Sequence, residues 1–225
     1  MLGRTLGSGT ATLDVSALAL GREADAHAAL TDVRAAAATS KEAMEVHARA
    51  VELSPRFADE HDLWVERHRA AALLAGDRAP EGADDHLALA WSLYQRKEFP
   101  RSAESFERAV ADAALRADLD RVGLYNGACA AALASAALAG DVAAHWRRRA
   151  FEWLAADLHL RRGRVAATAA ELAGSPDAKR RATLEATLAA DRTQLEWART
   201  GDSDLAPLRG SPEFDALFPN APSKR

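Results

Sequence analysis

Small and apolar positions recur along this chain at spacings of three and four residues, the period of a helix face. Ala43, His47 and Ala50 share one such face ahead of Pro55. Tyr125, Cys129, Ala132 and Ala136 form another, beside a small face of Ala128, Ala131 and Ser135. The pattern predicts helices over 22–38, 41–53, 58–74, 86–97, 100–116, 119–138, 142–164, 176–199 and 212–217. Start and stop signals set these bounds. Ser40 offers an N-cap oxygen and Pro55 ends the helix it opens. Asp59, Glu60 and Asp62 favour the N-terminal end of the third. Gly163 is a place for the long helix to kink or break, and Ser175-Pro176 reads as cap and first-turn proline. The stretches 76–85 and 201–214 read as loops by their Gly, Pro and Asp content. Short connections throughout imply antiparallel hairpins.

Composition narrows this to an all-α chain of eight or nine helices. Hydrophobic residues make up 48% of the 225, enough for a sizeable core, but only 6% are aromatic. Much of the apolar fraction is alanine, the strongest helix former, whereas a sheet wants aromatic and β-branched residues. The run from Val122 to Gly140 holds no charge. It is near the length of a membrane span, yet it is mostly Ala, Ser and Gly, with Asn126 inside, so few of its residues favour insertion. The expectation is a packed helix and no membrane partner. Net charge is −4, which does not supply the basic face that nucleic acid requires. A single cysteine, Cys129, excludes an internal disulfide framework and a cysteine-rich zinc site. A reducing, cytoplasmic setting is the expectation. Residues 1–20, with Gly3, Gly7 and Gly9, read as a flexible arm, 21–218 as one helical domain, and 219–225 as a tail.

Three stretches carry a resemblance. EAMEVHARAVELSP, with Ala43, His47, Ala50 and Pro55, resembles helix B of a tetratricopeptide repeat, and Leu30 falls where helix A has its core leucine. HLALAWSLYQRKEFPRSAESFERAV is similar, with Leu89 and Ala90, then Phe99, Ser102, Phe106 and Ala109, but Ala114 stands where the closing proline belongs. LYNGACAAALA resembles a helix A, through Tyr125, Asn126, Ala128 and Cys129. The physical content is that closely crossing helices need small residues at the contact. The fold this implies is a degenerate right-handed solenoid of stacked helix hairpins, with no regular repeat of about 34 residues. The order of segments over 43–218, including RRRAFEWLAADL and DSDLAPLRGSPEF, resembles the helical C-terminal region of large bacterial serine/threonine kinases. The kinase motifs themselves are absent: there is no V-A-I-K lysine, no H-R-D loop and no D-F-G, and LGSGTA lacks the third glycine of a phosphate loop.

In the repeats it resembles, an asparagine at the place of Asn126 can face a concave groove, where its amide holds a peptide backbone; the plain alternative is an exposed helix asparagine. Trp91 and Tyr94 fall off the repeat's core positions and are candidate groove anchors. Arg147-Arg148-Arg149, Arg161-Arg162-Arg164 and Lys179-Arg180-Arg181 offer charge to an acidic partner, including Arg147 and Arg148 as peptide ligands. Consecutive residues spread around a helix, however, and Glu152, Asp157, Asp177 and Glu185 stand ready to pair with them. His61 and His68 lie seven apart on one face, but no third ligand is placed, so no metal is expected. Cys129 has no base beside it in sequence and reads as a small buried hydrophobe. Trp146 and Trp153 share a face with Ala150 and read as packing. Leu205, Leu208, Phe214, Leu217 and Phe218 read as a cap, 201–218, over the last apolar face. No catalytic constellation and no cofactor motif emerges. The expectation is a non-catalytic module that binds a protein or peptide. The alternatives are a regulatory or dimerising segment working with a kinase, and an enzyme whose helical site is unrecognised. Self-association separates the first two.

Overall fold

A computed structural model describes residues 17, 18, 20, 24 and 32–218, apart from 122, 175 and 176. Most of the arm, the first helix up to residue 31, Leu30, the Ser175-Pro176 start signal and the tail over 219–225 lie outside the described residues. Nine α-helices and no strand occur among the described residues. The chain divides into two compact units, Met1–Ser92 and Leu93–Arg225.

The first unit holds α1 (Val33–Leu53), a 3-10 turn (Pro55–Phe57), α2 (Ala58–Ala75) and most of α3 (Ala83–Gln95). The predicted break at Thr39-Ser40 does not occur. Asp32 is the cap, accepting from the Ala35 amide at 3.0 Å. Ser40 sits inside α1 and donates to the Ala37 carbonyl at 2.9 Å. Its hydroxyl is thereby satisfied within the helix, and the alanines around it carry the helix through. Ala43, His47 and Ala50 form the buried face of α1, each at 0% exposure. His47 stacks parallel to His61, with ring centroids 5.8 Å apart, and meets Phe57 edge-on. Gly76 closes α2 at φ +78°, a left-handed cap position that glycine takes without steric cost.

Asp85 organises the start of α3. It is 2% exposed and accepts from Arg69, from Arg78 at 2.7 Å and from the Glu81 amide at 3.0 Å. Burial pushes its carboxyl up, but the amide and the two arginines outweigh that and hold it below the usual carboxylate range.

The second unit takes the end of α3, then α4 (Phe99–Ala109), α5 (Ala113–Ala117), α6 (Gly123–Ala137), α7 (Gly140–Ala173), α8 (Ala178–Glu196) and α9 (Pro212–Ala216). The helix expected over 100–116 is two helices. Asp112 takes the cap of α5, accepting from the Leu115 amide at 2.8 Å. The break expected at Gly163 does not occur, and α7 runs unbroken for 34 residues. Gly163 is exposed with no neighbour near, so its cost is the intrinsic ~1 kcal/mol of a helical glycine, within what the surrounding Ala and Arg tolerate. A π-type turn, Trp197–Gly201, and a 3-10 turn, Ser203–Leu205, follow α8.

The core of this unit is α6, packed on α4, on α7 and on the 3-10 turn. At Gly127 an added Cβ would stand 3.1 Å from the Trp153 ring and 3.3 Å from Phe106. That close approach explains a glycine in mid-helix. Trp146 and Trp153 are both buried, with ring centroids 6.5 Å apart. No described helix is long and apolar enough to cross a membrane.

Candidate functional site

Three places in the second unit gather polar side chains. The first is buried. Tyr125 donates to Asp202 at 2.5 Å, the Cys129 thiol approaches the same carboxylate oxygen at 3.7 Å, and Tyr94 donates to Asp204. Arg209 donates to the Asp202 carbonyl at 2.5 Å and Arg162 to the Leu217 carbonyl. Between these bonds, Leu205 and Leu208 reach 0% exposure and Phe214 4%. Residues 202–218 thus form a strap along the unit. Burial, and then the nearby aspartates, push both tyrosine hydroxyls and the Cys129 thiol up. Cys129 is therefore a protonated thiol inside a helix core, without the thiolate that nucleophilic chemistry needs.

A second buried network lies beside it. Arg161, 4% exposed, donates to Asp157 at 2.7 Å and to Asp191 at 3.2 Å. Arg164 donates to both oxygens of Asp191 and to Asp120 at 2.9 Å. The two acids respond oppositely. Burial dominates at Asp157 and raises its pKa, and one of its carboxylate oxygens has no hydrogen-bond partner among the described residues. Burial also penalises Asp191, but Arg164 and Arg161 overcome it and hold the pKa down.

The third place is open. Ser135 and Ala136 at the end of α6, Ala143, Ala144 and Arg147 at the start of α7, and Pro207 of the strap line a shallow cleft of about 390 Å³. Arg147 donates one N–H to the Pro207 carbonyl at 2.9 Å, and its guanidinium lies over the Phe151 ring, 5.3 Å from the centroid. Among the described residues Arg148 meets His145, at 3.4 Å. Their neighbour Arg149 pairs with Glu107 and Glu152. Leu138 and Val142, which flank the cleft in the chain, are 37% and 54% exposed.

The residues singled out from sequence are therefore dispersed. Arg147 stands at the open cleft, and Arg148 follows it in the chain, exposed and outside the cleft's lining. Tyr94 is half-buried and bonded to the strap, with its ring edge-on to Phe99 at 5.6 Å. Trp91 is half-buried in α3 of the first unit. Asn126 is half-buried on α6, and its amide nitrogen is buried with no partner among the described residues. His61 stacks on His47 and His68 meets Ser40 at 3.3 Å, so the two do not converge. No group of three metal-ligating side chains occurs among the described residues. Sequence reasoning passed over Asp202, Asp204 and Pro207. The only signal was the tyrosine pair, whose hydroxyls need partners once buried. Compared with family models, with curated proteins and with solved structures, the chain finds no match.

Proposed function

We propose that the chain is a non-catalytic protein- or peptide-binding module, built on helix pairs in the manner of tetratricopeptide repeats. The observation that supports it best is the open cleft at Arg147. Arg147 there, and Arg148 beside it in the chain, meet no carboxylate among the described residues, while Arg149, Arg161 and Arg164 of the same helix each hold at least one. Buried arginines are normally satisfied within the fold, and exposed ones beside an apolar hollow are the usual anchors of a binding surface. The resemblance of 43–218 to kinase-associated helical tails fits a partner-recruiting role.

The test is affinity capture from source-cell lysate with wild type, Asn126→Ala and the double variant Arg147→Ala, Arg148→Ala, read by mass spectrometry. The expected result is a set of partners retained by wild type and lost from the double variant, with helicity unchanged by circular dichroism. Identical sets from all three proteins would remove the cleft and the Asn126 face as binding surfaces.

A further inference from the structure

The open cleft carries a more specific conclusion, which rests on the binding-module reading above. We infer that it is a carboxylate-reading site for an acidic peptide: an extended segment presenting a Glu or Asp side chain between small or apolar residues. Three observations lead there.

The first is charge. From Gly140 to Phe151 the only acidic residue is Asp141, against Arg147, Arg148 and Arg149. Arg149 is neutralised by Glu107 and Glu152, which leaves Arg147 and Arg148 in excess. A carboxylate is the complement of an unpaired guanidinium, and the planar fork binds it through two parallel bonds.

The second is preorganisation. Arg147 is held from two sides, by its bond to the Pro207 carbonyl and by the Phe151 ring beneath it. A guanidinium has five N–H donors, and the bond to Pro207 takes one. The rest remain on a group whose orientation is already fixed, so little rotamer freedom is lost when a ligand arrives.

The third is the lining. Ala136, Ala143, Ala144 and Pro207 give the hollow a small-residue, apolar wall. It admits an aliphatic side chain beside the charge and offers no competing acceptor side chain except the Ser135 hydroxyl, which already donates to the Ala132 carbonyl at 2.7 Å. A phosphate or nucleic-acid backbone would call for a wider basic face than one arginine beside an alanine wall with a second next to it in the chain.

The site also reports on the strap, because Pro207 is both wall and acceptor. A ligand carboxylate shares Arg147 with the Pro207 carbonyl, and an ionised acceptor makes the stronger bond.

The experiment uses the full chain and two end-blocked hexapeptides, one of alternating Leu and Glu and the other of alternating Leu and Gln. Binding is followed by amide chemical-shift titration. The expected result is saturable shifts centred on Ser135, Ala143, Ala144 and Arg147 with the Glu peptide, and affinity about tenfold or more weaker with the Gln peptide. Arg147→Gln should show the same loss. Ala144→Glu, at an exposed position, should block the site by offering Arg147 a carboxylate in cis, and it keeps the test decisive if Arg147→Gln disturbs the fold. Salt should weaken the Glu peptide selectively.

Equal affinity for the two peptides, indifference to both variants, or no shifts at all would overturn the inference. Shifts that map to another face would overturn it as well while leaving the binding-module reading standing. That reading falls separately, if the lysate capture returns no partner at all from wild type.

Discussion

Helices α6 and α8 are both rich in alanine and end in opposite surroundings. In α6 ten of 15 residues are buried; in α8 two of 19 are, Leu184 and Asp191. Alanine does not explain the difference, since it favours a helix without committing it to a side. The charges do. α6 has none, so every face of it can be covered, by α4, α7 and the strap. α8 carries Lys179, Arg180, Arg181, Glu185, Asp191, Arg192 and Glu196 around its circumference, which keeps most of it in water. One helix is held by area and the other by an ion pair at Asp191.

The contrast breaks most visibly at the strap. Truncation after Gly201 removes Leu205, Leu208 and Phe214, buried side chains worth about 1.5–3 kcal/mol each. The expected outcome is a markedly lower melting temperature with aggregation by light scattering; unchanged melting would mean that α6 does not depend on its cover. Next in size is Arg161→Met. It strands Asp157 in the interior and takes one of two arginines from Asp191, which should cost about 3–5 kcal/mol in urea unfolding. A neutral result would show that Leu184 and the Arg164–Asp191 pair hold α8 without Arg161.

The two acids beneath Arg161 sharpen the point through pH. Asp191 has a depressed pKa, so its contribution is present above the unfolded carboxylate value and is lost as pH falls through the folded one. Asp157 has a raised pKa. Its penalty is present above the folded value and is relieved as pH falls toward the unfolded one. Asp191→Asn should therefore cost about 1–3 kcal/mol at pH 7. Asp157→Asn should be near neutral there, and should remove the relief seen on acidification. Urea melts at pH 7 and pH 5 decide it, and equal costs for the two variants would contradict the asymmetry.

Tyr125→Phe leaves the buried Asp202 carboxylate short of a donor, which should cost about 1–3 kcal/mol. Smallest is Ala182→Ser on the exposed face of α8, expected within about 0.5 kcal/mol. A larger loss would mean that this face is covered in solution.

Local pattern made much of the helical framework legible. The helix at 58–74 appears as Ala58–Ala75 and the uncharged stretch as Gly123–Ala137, because acidic residues and Gly76 mark the ends of the first and the lack of charge marks out the second. The errors share a cause. At Ser40 and Gly163 a residue with a weak helix preference was read as a boundary, but strong neighbours and, for Ser40, a bond to its own turn kept the helix intact. The site was less legible. Tyr94 and Arg147 were singled out as surface anchors, yet each is bonded to a residue of the strap, Asp204 and Pro207, 110 and 60 positions further along. No window of sequence contains such pairs. Asn126 stood out for its wording, and its buried, unpartnered amide nitrogen depends on packing that wording does not carry.

The strap also sets an order of events in time. Tyr125 and Asp202 lie 77 residues apart, and at about 5–20 residues per second synthesis of that interval takes roughly 4–15 s. Helix α6 itself forms in about a microsecond. For several seconds, then, each nascent chain presents an uncharged helix whose cover has not been made, with a buried-to-be cysteine in its middle. That interval is when this protein is most exposed to wrong partners and most in need of a chaperone.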